Sequence, residues 1–417
     1  MGKVFVSYAV GWDLGARAAV GPLSRAGAEA RDAAGEPYVM VYRVPGRREP
    51  VEVHLVAWGD SYVGMWAYDE QGRRRAEVDW RLLEPERVFL RHLGAWLYDS
   101  PEQPEFAAGV TRVRHDLYPD GKGRKVVDRA DGGSTHTRPD IAEADRWLSR
   151  GALGVRGDGW LLLAGEEHGV RETLDAEEPA EADTTAPAAD GLVVTPWLPP
   201  RPAEPDHLTE LFTPGTRLST DTEPEMTVLE PREIAGLRLP SGRLVVADPL
   251  ADGRELAETF APGVYPVQEA VVAYEYEFMG AHVETEDSVA VRLLLSDEPV
   301  VGWEQALSVR DDVRLLRDDE CFGYGTDTAS GAFADASGWR THVGQIKEYY
   351  APDGREVPVD FVQDGFLRSV DEATGGDLIC FGTGGDGVYP VWLGRSASGE
   401  VACFVVVTSY LIDLQVL

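Results

Sequence analysis

Positive charge is scarce in this sequence. Lysine and arginine together number 39 against 72 aspartates and glutamates, which gives a formal net charge of −33. Lysine occurs only at Lys3, Lys122, Lys125 and Lys347. An acidic field of this size repels the phosphates of nucleic acids and anionic membrane surfaces. The composition therefore predicts no nucleic acid or membrane partner. It favours either solubility alone or attraction of a basic partner protein.

Cysteine and long apolar runs are also scarce. The three cysteines, Cys321, Cys380 and Cys403, form no C-x-x-C pair and are too few for a disulfide framework. No stretch reaches the ~18 apolar residues of a transmembrane helix. The opening run ends at Asp13 and is typical of a first strand rather than of a signal peptide. These features predict a cytoplasmic protein.

Sequence motifs for familiar enzyme chemistry are missing as well. The eight histidines include no doublet with metal-ligand spacing. Neither a G-x-S-x-G nucleophile elbow nor the protein-kinase motif set occurs. We therefore expect no cofactor, and the motifs assign no catalytic residue.

One acidic segment predicts a domain boundary. Residues 168–190 include EEPAEADTTAPAAD, which is rich in proline and alanine and lacks apolar anchors. Such a segment cannot bury enough surface to offset the entropy of ordering. We expect an N-terminal β-rich domain of unknown type at 1–167, a linker at 168–190 and a C-terminal domain at 191–417.

The fold class predicted from residue patterns is α+β and predominantly β. Alternating β-branched and aromatic runs predict most of the strands, and the second domain is expected to be a mostly antiparallel sheet or sandwich. Apolar spacing and capping residues predict a few helices, at 88–98, 139–149, 339–350 and 359–373.

The C-terminal strand carries the clearest architectural prediction. Val401 to Leu411 is apolar at nearly every position, which is typical of a central strand covered on both faces. We expect one neighbour to be Val388 to Leu393, joined through the SASGE hairpin turn. The tetrapeptide VYPV occurs at 264–267 and again at 388–391, and we expect the first copy in the same sheet. Irregular alternation over Gln268 to Phe278 predicts a β-bulge.

Several motifs occur in an order that resembles a known family. They are LPSGRLVVADPL, GVYPV, VVGWEQAL, CFGYGTDTASGAFAD and GGDGVYPVWLG. In this order they resemble the bacterial DUF4241 family, whose name denotes a domain of unknown function. The resemblance covers the part from Gly236 to the C-terminus. It implies a compact β-rich domain and supplies no catalytic residues.

The richest candidate site lies in the run Asp318 to Asp335. Asp327, Ser330 and Asp335 offer oxygen ligands of the kind that a hard cation prefers. The spacing departs from the EF-hand pattern, because Ala329 and Gly331 stand where ligands belong. An Asx-turn loop with solvated carboxylates explains the same residues, so we assign no metal to it.

Other residues extend this candidate pocket. Asp386 lies in the glycine-rich run 382–390, which leads into a strand and lacks a phosphate-binding motif. Glu304 follows Trp303, an arrangement that can raise the pKa of a general acid. Tyr324 and Tyr389 complete the set.

Two functions follow from the sequence. The first is a non-enzymatic cytoplasmic protein that binds a partner protein, in the manner of immunity or accessory proteins. The alternative is a hydrolase, with or without a metal ion, at an Asp-rich site in the C-terminal domain. The two are distinguished by whether these carboxylates converge in one concave pocket.

The linker gives a first testable prediction. We expect limited proteolysis of the whole protein to cut between Glu177 and Asp190 and to leave two folded fragments, because nothing in that segment can be buried. Mass spectrometry of the fragments locates the cut. Resistance of this segment under native conditions contradicts the boundary.

Overall fold

The computed structural model describes residues 2–155, 170–175, 195–221, 225–363, 365–409 and 414–417. The chain forms two compact units, Met1–Pro200 and Arg201–Leu417. Both are built mainly from strands, and only two α-helices occur in the described residues. This confirms the prediction of a β-rich α+β protein.

The N-terminal unit contains twelve strands and one α-helix in its described residues. The strands are β1 Gly2–Asp13, β2 Ala18–Leu23, β3 Tyr38–Arg43, β4 Glu52–Ala57, β5 Tyr62–Tyr68, β6 Arg74–Glu84, β7 Arg87–Leu97, β8 Thr111–Leu117, β9 Gly123–Asp128, β10 Ser134–Thr137, β11 Trp147–Ser149 and β12 Val170–Asp175. The helix is α1, Arg25–Ala34, which begins after the Ser24 cap and ends at Gly35 with φ of 76°.

These strands form a single sheet. Its order is β10-β9-β8-β7-β6-β5-β4-β3-β1-β12, with β11 paired to β7 and β2 paired to β1. Strands β3 to β10 follow one another as an antiparallel meander, whereas β1 and β12 pair in parallel. One apolar core includes Trp12, Val41, Leu55, Tyr62 and Trp197.

The helix predicted at 88–98 is wrong, because residues 88–97 belong to strand β7. The register between β6 and β7 shifts at Asp79/Trp80, where Trp80 pairs with Leu90 and Asp79 pairs with His92. The bulge adds one residue to β7. At the bulge, two successive residues on the same face of the strand are therefore three positions apart instead of two. Val88, Leu90 and Leu93 thus share one face of a bulged strand, with a spacing that imitates a helix.

The helix predicted at 139–149 is wrong as well. This range contains a short 3₁₀ turn, Glu143–Arg146, followed by β11. Trp147 pairs with Phe89 of β7, and their rings contact edge to face at 5.0 Å. Strand pairing and this aromatic contact outweigh the local helical preference.

The C-terminal unit contains seventeen strands and one α-helix in its described residues. The strands are β13 Arg217–Ser219, β14 Met226–Val228, β15 Arg232–Leu239, β16 Arg243–Ala247, β17 Glu255–Thr259, β18 Gly263–Phe278, β19 Ala281–Leu294, β20 Val300–Gln305, β21 Gly323–Thr326, β22 Ser330–Asp335, β23 Val359–Gln363, β24 Phe366–Val370, β25 Asp377–Gly382, β26 Gly387–Pro390, β27 Trp392–Ser396, β28 Val401–Val407 and β29 Gln415–Val416. The helix is α2, Trp339–Tyr349.

Two antiparallel sheets of this unit share one core. The larger runs β20-β27-β28-β19-β18-β14-β13-β29, with β15 beside β18, and the smaller runs β17-β16-β22-β25-β24-β23. Val267, Val291 and Phe404 of the larger sheet lie in the same buried cluster as Phe333 and Phe381 of the smaller. The arrangement is a β-sandwich, as the sequence predicts.

Strand β28 lies inside the larger sheet, with β19 on one side and β27 on the other. The predicted bulge is confirmed by a register shift between Ala270 and Val271. The strand predicted at 388–393 is wrong as a single element. Its first half belongs to β26, which pairs with β21 in a separate two-stranded sheet, and its second half begins β27.

Helix α2 confirms the helix predicted at 339–350, but the helix predicted at 359–373 is wrong. That range forms the hairpin of β23 and β24. Gly365 has φ of 81°, a left-handed conformation that a continuing helix excludes. Both strands then pair into the smaller sheet, which supplies the hydrogen bonds that a helix would otherwise make.

The compact units divide at 200/201, so the second unit starts ten residues later than the predicted start of the second domain at 191. Trp197 packs into the core of the first unit, against Trp66 with ring centroids 4.1 Å apart. Of the predicted linker, residues 170–175 form β12, and the remainder lies outside the described residues. The apolar pattern of Gly159 to Ala164 also predicts a strand, and this range lies outside the described residues as well. The linker itself stays a prediction.

Among the described residues, the helices are too short and too polar to traverse a lipid bilayer.

Strand β28 generates a stability prediction. Its residues Ala402 to Val406 are each at most 1% exposed. Each large apolar side chain there contributes about 1.5–3 kcal/mol, so losing the strand removes an amount comparable to the ~5–15 kcal/mol that stabilises a whole domain. Truncation after Gly399 should abolish the unfolding transition of the C-terminal unit and leave that of the N-terminal unit.

Calorimetry measures both transitions. The matched control is truncation after Leu414, which removes only β29, whose residues are exposed. If the protein ending at Gly399 still melts cooperatively in both units, β28 is peripheral.

Candidate functional site

The two tyrosines of the predicted pocket belong to the core. Tyr324 of β21 pairs directly with Tyr389 of β26, and their rings stack with centroids 6.0 Å apart. Both are at most 5% exposed. Tyr389 donates a hydrogen bond to the carbonyl of Gly385 at 2.9 Å, whereas burial raises the pKa of the Tyr324 hydroxyl. These side chains hold β21 and β26 against the sandwich.

Asp335 is also fully buried, at the end of β22. One of its carboxylate oxygens accepts hydrogen bonds from the Ser241 backbone and hydroxyl, each at 2.8 Å. The other accepts from the backbone of Ser337 at 2.9 Å and from its hydroxyl. The carboxylate thus fastens the turn before β16 to the segment that leads into α2.

The three remaining predicted residues are exposed and do not all meet. Asp327 and Asp386 flank the same end of the β21–β26 ladder, since Thr326 pairs with Gly387. Glu304 lies on β20 in the larger sheet and forms an ion pair with Arg395, which donates from Nε at 2.7 Å. The structure therefore brings Asp327 near Asp386, keeps Asp335 in the interior and leaves Glu304 on another sheet.

The loop around Asp327 is organised by one buried carboxylate, that of Asp248. Asp248 follows β16 and is 2% exposed. It accepts hydrogen bonds from the Leu250 backbone at 2.8 Å and from the hydroxyls of Thr326 and Thr328 at 2.7 and 2.8 Å. Burial alone raises the pKa of Asp248, but these bonds outweigh it and hold the pKa below its ordinary value.

A second buried carboxylate, Asp377, joins two strands. It accepts from Arg238 of β15 at 2.7 and 2.9 Å and from Arg368 of β24 at 2.6 Å. Burial raises its pKa, and the two guanidinium groups more than reverse that effect, so that the pKa lies below its usual range. Asp377 connects the two sheets of the sandwich.

A serine–histidine pair that the sequence did not indicate joins α2, which carries His342, to β24, which carries Ser369. His342 and Ser369 are both fully buried, and His342 Nδ1 lies 2.9 Å from Ser369 Oγ. Ser369 donates its hydroxyl to Gln345 Oε1, so His342 must be the donor to Ser369. A serine in this arrangement is not activated by its histidine. Burial lowers the pKa of His342.

The N-terminal unit contains a comparable buried network. His92 is fully buried, with Nδ1 2.8 Å from Asp116 and Nε2 3.2 Å from Glu77. Arg124 donates to Asp116 at 2.9 Å. Burial raises the pKa of Asp116, but the bonds from His92 and Arg124 bring it well below its usual value. The network ties β6, β7, β8 and β9 together.

The distal half of the β18–β19 hairpin differs from these buried side-chain networks because it lies at the surface. β18 is buried continuously from Glu269 to Val272 and β19 from Val289 to Val291, whereas every residue of the two strands between 273 and 288 is half-buried or exposed. We call residues 273–288 the arm. Its tip is a two-residue turn in which Met279 and Gly280 have φ of 51° and 79°, the type I′ geometry that suits a twisted hairpin.

One face of the arm is aromatic. Because alternate residues of a strand share a face, Tyr274, Tyr276 and Phe278 line up on β18 opposite Thr285, Val283 and Ala281. Tyr276 is 40% exposed and Phe278 56%. At the tip, Met279 is 92% exposed. Exposed apolar residues gathered on one projecting element are typical of an interaction surface.

The opposite face of the arm is acidic. Glu275 pairs with Glu284, and Glu277 pairs with His282. Beside this face lies an open cleft of about 930 Å³. Its lining includes four glutamates, Glu225, Glu275, Glu284 and Glu286.

Two of these glutamates have arginine partners. Glu225 forms an ion pair with Arg217, and Glu286 forms one with Arg232. Glu275, Glu284 and His282 place one ligand atom each within 4.8 Å of one another, the one grouping of metal-ligand type found in the described residues. All three are exposed, and exposed acidic groups commonly cluster without an ion. We therefore assign no metal to the arm.

The C-terminal unit is thus a β-sandwich with a projecting two-stranded arm. Residues 237–406, from β15 into β28, match the family model DUF4241, described as a protein of unknown function. This confirms the resemblance drawn from the sequence motifs and limits it to the C-terminal part of the chain. No curated protein and no solved structure matches the chain.

Asp377 generates a prediction about pH. Its folded pKa is depressed, so its stabilisation is present above the unfolded pKa of about 3.9 and is lost as the pH falls through the folded pKa. At neutral pH, Asp377→Asn should lower the free energy of unfolding by about 2 kcal/mol. The two arginines are about one-third exposed, which keeps the penalty moderate.

Urea unfolding of the wild type and the variant from neutral to acidic pH measures this difference, which should shrink below about pH 4. Asp327→Asn, at an exposed carboxylate, is the matched control and should change stability little. Equal effects of the two substitutions contradict the assigned role of Asp377.

Proposed function

We propose that this protein is a non-enzymatic bacterial cytoplasmic protein, of immunity or accessory type, that binds a basic partner protein through the arm. The observation that carries the proposal is the two-sided character of residues 273–288. An aromatic face and an acidic face lie on one projecting hairpin. The proposal also draws on the net charge of −33, which steers cationic proteins toward the molecule.

The two faces have different parts in binding. Tyr276, Phe278 and Met279 can enter apolar pockets of a partner and supply most of the affinity, as a few buried aromatic residues do in most interfaces. Glu275, Glu277 and Glu284 remain near the rim. Charges there chiefly raise the association rate and select a partner of opposite sign, and their effect falls with added salt.

The hydrolase alternative has less support. Of the carboxylates assigned to its site, Asp335 is buried and occupied by Ser241 and Ser337, and Glu304 lies on a different sheet. Only Asp327 and Asp386 stand at one end of the same ladder. An Asp-rich hydrolytic site needs its acid, base and substrate pocket to converge, and these residues do not supply that arrangement.

A photo-crosslinking experiment tests the proposal. A benzophenone amino acid replaces Tyr276 in the full-length protein within bacterial cells, and an otherwise identical protein carries it at Phe361. Phe361 is 66% exposed and lies on β23, away from the arm in sequence and sheet. We expect the probe at position 276 to capture a defined basic protein that the probe at position 361 does not.

Purified partner and matched substitutions then measure the affinity. Phe278→Ala should weaken binding at least tenfold, whereas Phe361→Ala, which removes an equally large exposed ring, should leave it unchanged. Glu277→Gln with Glu284→Gln should slow association at low salt and have little effect at high salt. Equal effects of the two phenylalanine substitutions, or an acidic partner, would overturn the proposal.

A further inference from the structure

A second cleft lies in the C-terminal unit, away from the residues of the arm. It has a volume of about 300 Å³, at the lower end of the ~300–1,000 Å³ found for small-molecule sites. Its walls include Phe212, Arg292, Leu294, Trp303 and Cys403. We call it the Arg292 cleft.

The floor of this cleft is one face of the larger sheet. Leu294 of β19 pairs with Cys403 of β28, and Cys403 in turn pairs with Gly394 of β27. A side chain at Gly394 would come within 3.0 Å of the Trp303 ring and 2.9 Å of the Cys403 sulfur. Glycine at this position lets the indole lie close over the sheet, which gives the cleft a flat aromatic wall.

Arg292 supplies a positive charge inside this apolar setting. Its guanidinium lies 4.2 Å above the Phe212 ring and donates to Gln268 Oε1 from Nε at 3.1 Å and from Nη2 at 2.5 Å. In the portion of the chain that the structure describes, no carboxylate forms an ion pair with it. Burial lowers the pKa of Arg292, and only the nearby Cys403 acts in the opposite direction. A half-buried arginine of this kind is a ready partner for an anion.

A hydroxyl donor stands at the mouth of the cleft. Trp303 donates its indole N–H to Thr209 Oγ1 at 3.0 Å, so the Thr209 hydroxyl keeps its own hydrogen to donate. Thr213, also part of the wall, donates to the Thr209 carbonyl at 2.9 Å. Thr209 and Arg292 thus offer two donors in the lining of one small cleft.

The rim restricts the charge that the cleft can accept. Asp297 and Glu298 line its edge and are exposed, and Glu298 accepts a hydrogen bond from Ser398 at 3.0 Å. Two carboxylates there disfavour a multiply charged ligand such as a phosphate ester. A single negative charge that reaches Arg292 is compatible with them.

We propose that the Arg292 cleft binds a small molecule in which one carboxylate is joined to a flat apolar group. The carboxylate pairs with Arg292 and accepts from Thr209, and the apolar group packs between Phe212 and Trp303. This assignment is independent of partner binding by the arm, because the two surfaces share no residue.

The test uses three probes of the same shape: 3-phenylpropanoate, its neutral amide and the cationic 2-phenylethylamine. Titration calorimetry and ligand-observed NMR on the full-length protein measure their binding. We expect the carboxylate to bind in the millimolar range or tighter, at least tenfold better than the amide, with the amine weakest. It should also shift the indole N–H resonance of Trp303.

Variants distinguish recognition of the carboxylate from nonspecific apolar binding. Arg292→Gln should remove the preference for carboxylate over amide, and Arg310→Gln, which deletes an exposed arginine outside the cleft, should preserve it. Thr213→Trp should block the opening of the cleft and weaken the binding of both the carboxylate and the amide. Because Thr213 is exposed, the larger side chain does not have to be accommodated in the core.

Melting temperatures confirm that each variant is folded. The proposal fails if neither carboxylate nor amide binds at millimolar concentration, or if the two bind equally well to the wild type. It fails as well if Arg292→Gln, shown to be folded, retains the preference for carboxylate. Phe278→Ala in the arm should leave probe binding unchanged. The cleft proposal and the proposed function of the arm can therefore be tested independently of each other.

Discussion

The long hairpin of β18 and β19 is the constraint on which the C-terminal unit depends. Its proximal half lies between β14 and β15 on one side and β28 on the other, and its residues Val267, Val291 and Leu293 are fully or almost fully buried. Because that half is fixed on both edges, the distal half can project with few tertiary contacts of its own. The register set in the core, including the shift at Ala270/Val271, decides which side chains appear on each face of the arm.

Strand β19 also carries Arg292, so one element positions both the arm and the second cleft. Alternation along β19 places Val291 and Leu293 toward the sandwich core and Arg292 and Leu294 toward the opposite face. Arg292 can occupy an apolar cleft because Gln268 on the neighbouring strand and the Phe212 ring support its guanidinium. The packing that buries one side of the strand thereby fixes the geometry of a charged group on the other.

Sequence patterns predicted the fold class, α2 and the central place of β28, because these depend on strong local features. The predictions failed where strand pairing in the folded protein changed the spacing of apolar residues along a strand or divided an apolar run. The bulge in β7 turned a strand into an apparent helix, and the break between β26 and β27 divided one apolar run between two sheets.

The predicted site combined residues by their chemistry alone. The sequence could not reveal that Asp335 faces the interior while Asp327 stays in solvent, since burial is set by strands distant in sequence.

The arm was more accessible to prediction from the sequence. The alternation of tyrosine and phenylalanine with glutamate over 274–278 already separates two faces, once both strands are known to leave the core. The Arg292 cleft had no such indication, because its walls come from three stretches that are distant in sequence, 208–213, 292–303 and 402–403.

The acidic residues of this protein fall into two groups with different physical roles. Asp248, Asp335 and Asp377 are buried, and each is held by several donors, so these carboxylates stabilise the fold at neutral pH. Glu275 and Glu284 stand directly opposite each other on the arm, an arrangement of like charges that opposes strand pairing. Glu275 also lies 3.2 Å from His282 Nε2 on the same face, and a glutamine at either glutamate position would preserve the strand and remove the repulsion between the two carboxylates. A cationic group placed between the two carboxylates relieves the same repulsion, which gives a basic partner an energetic advantage over a neutral one of equal shape. If the arm binds a basic partner as proposed, recognition rather than folding accounts for this pair.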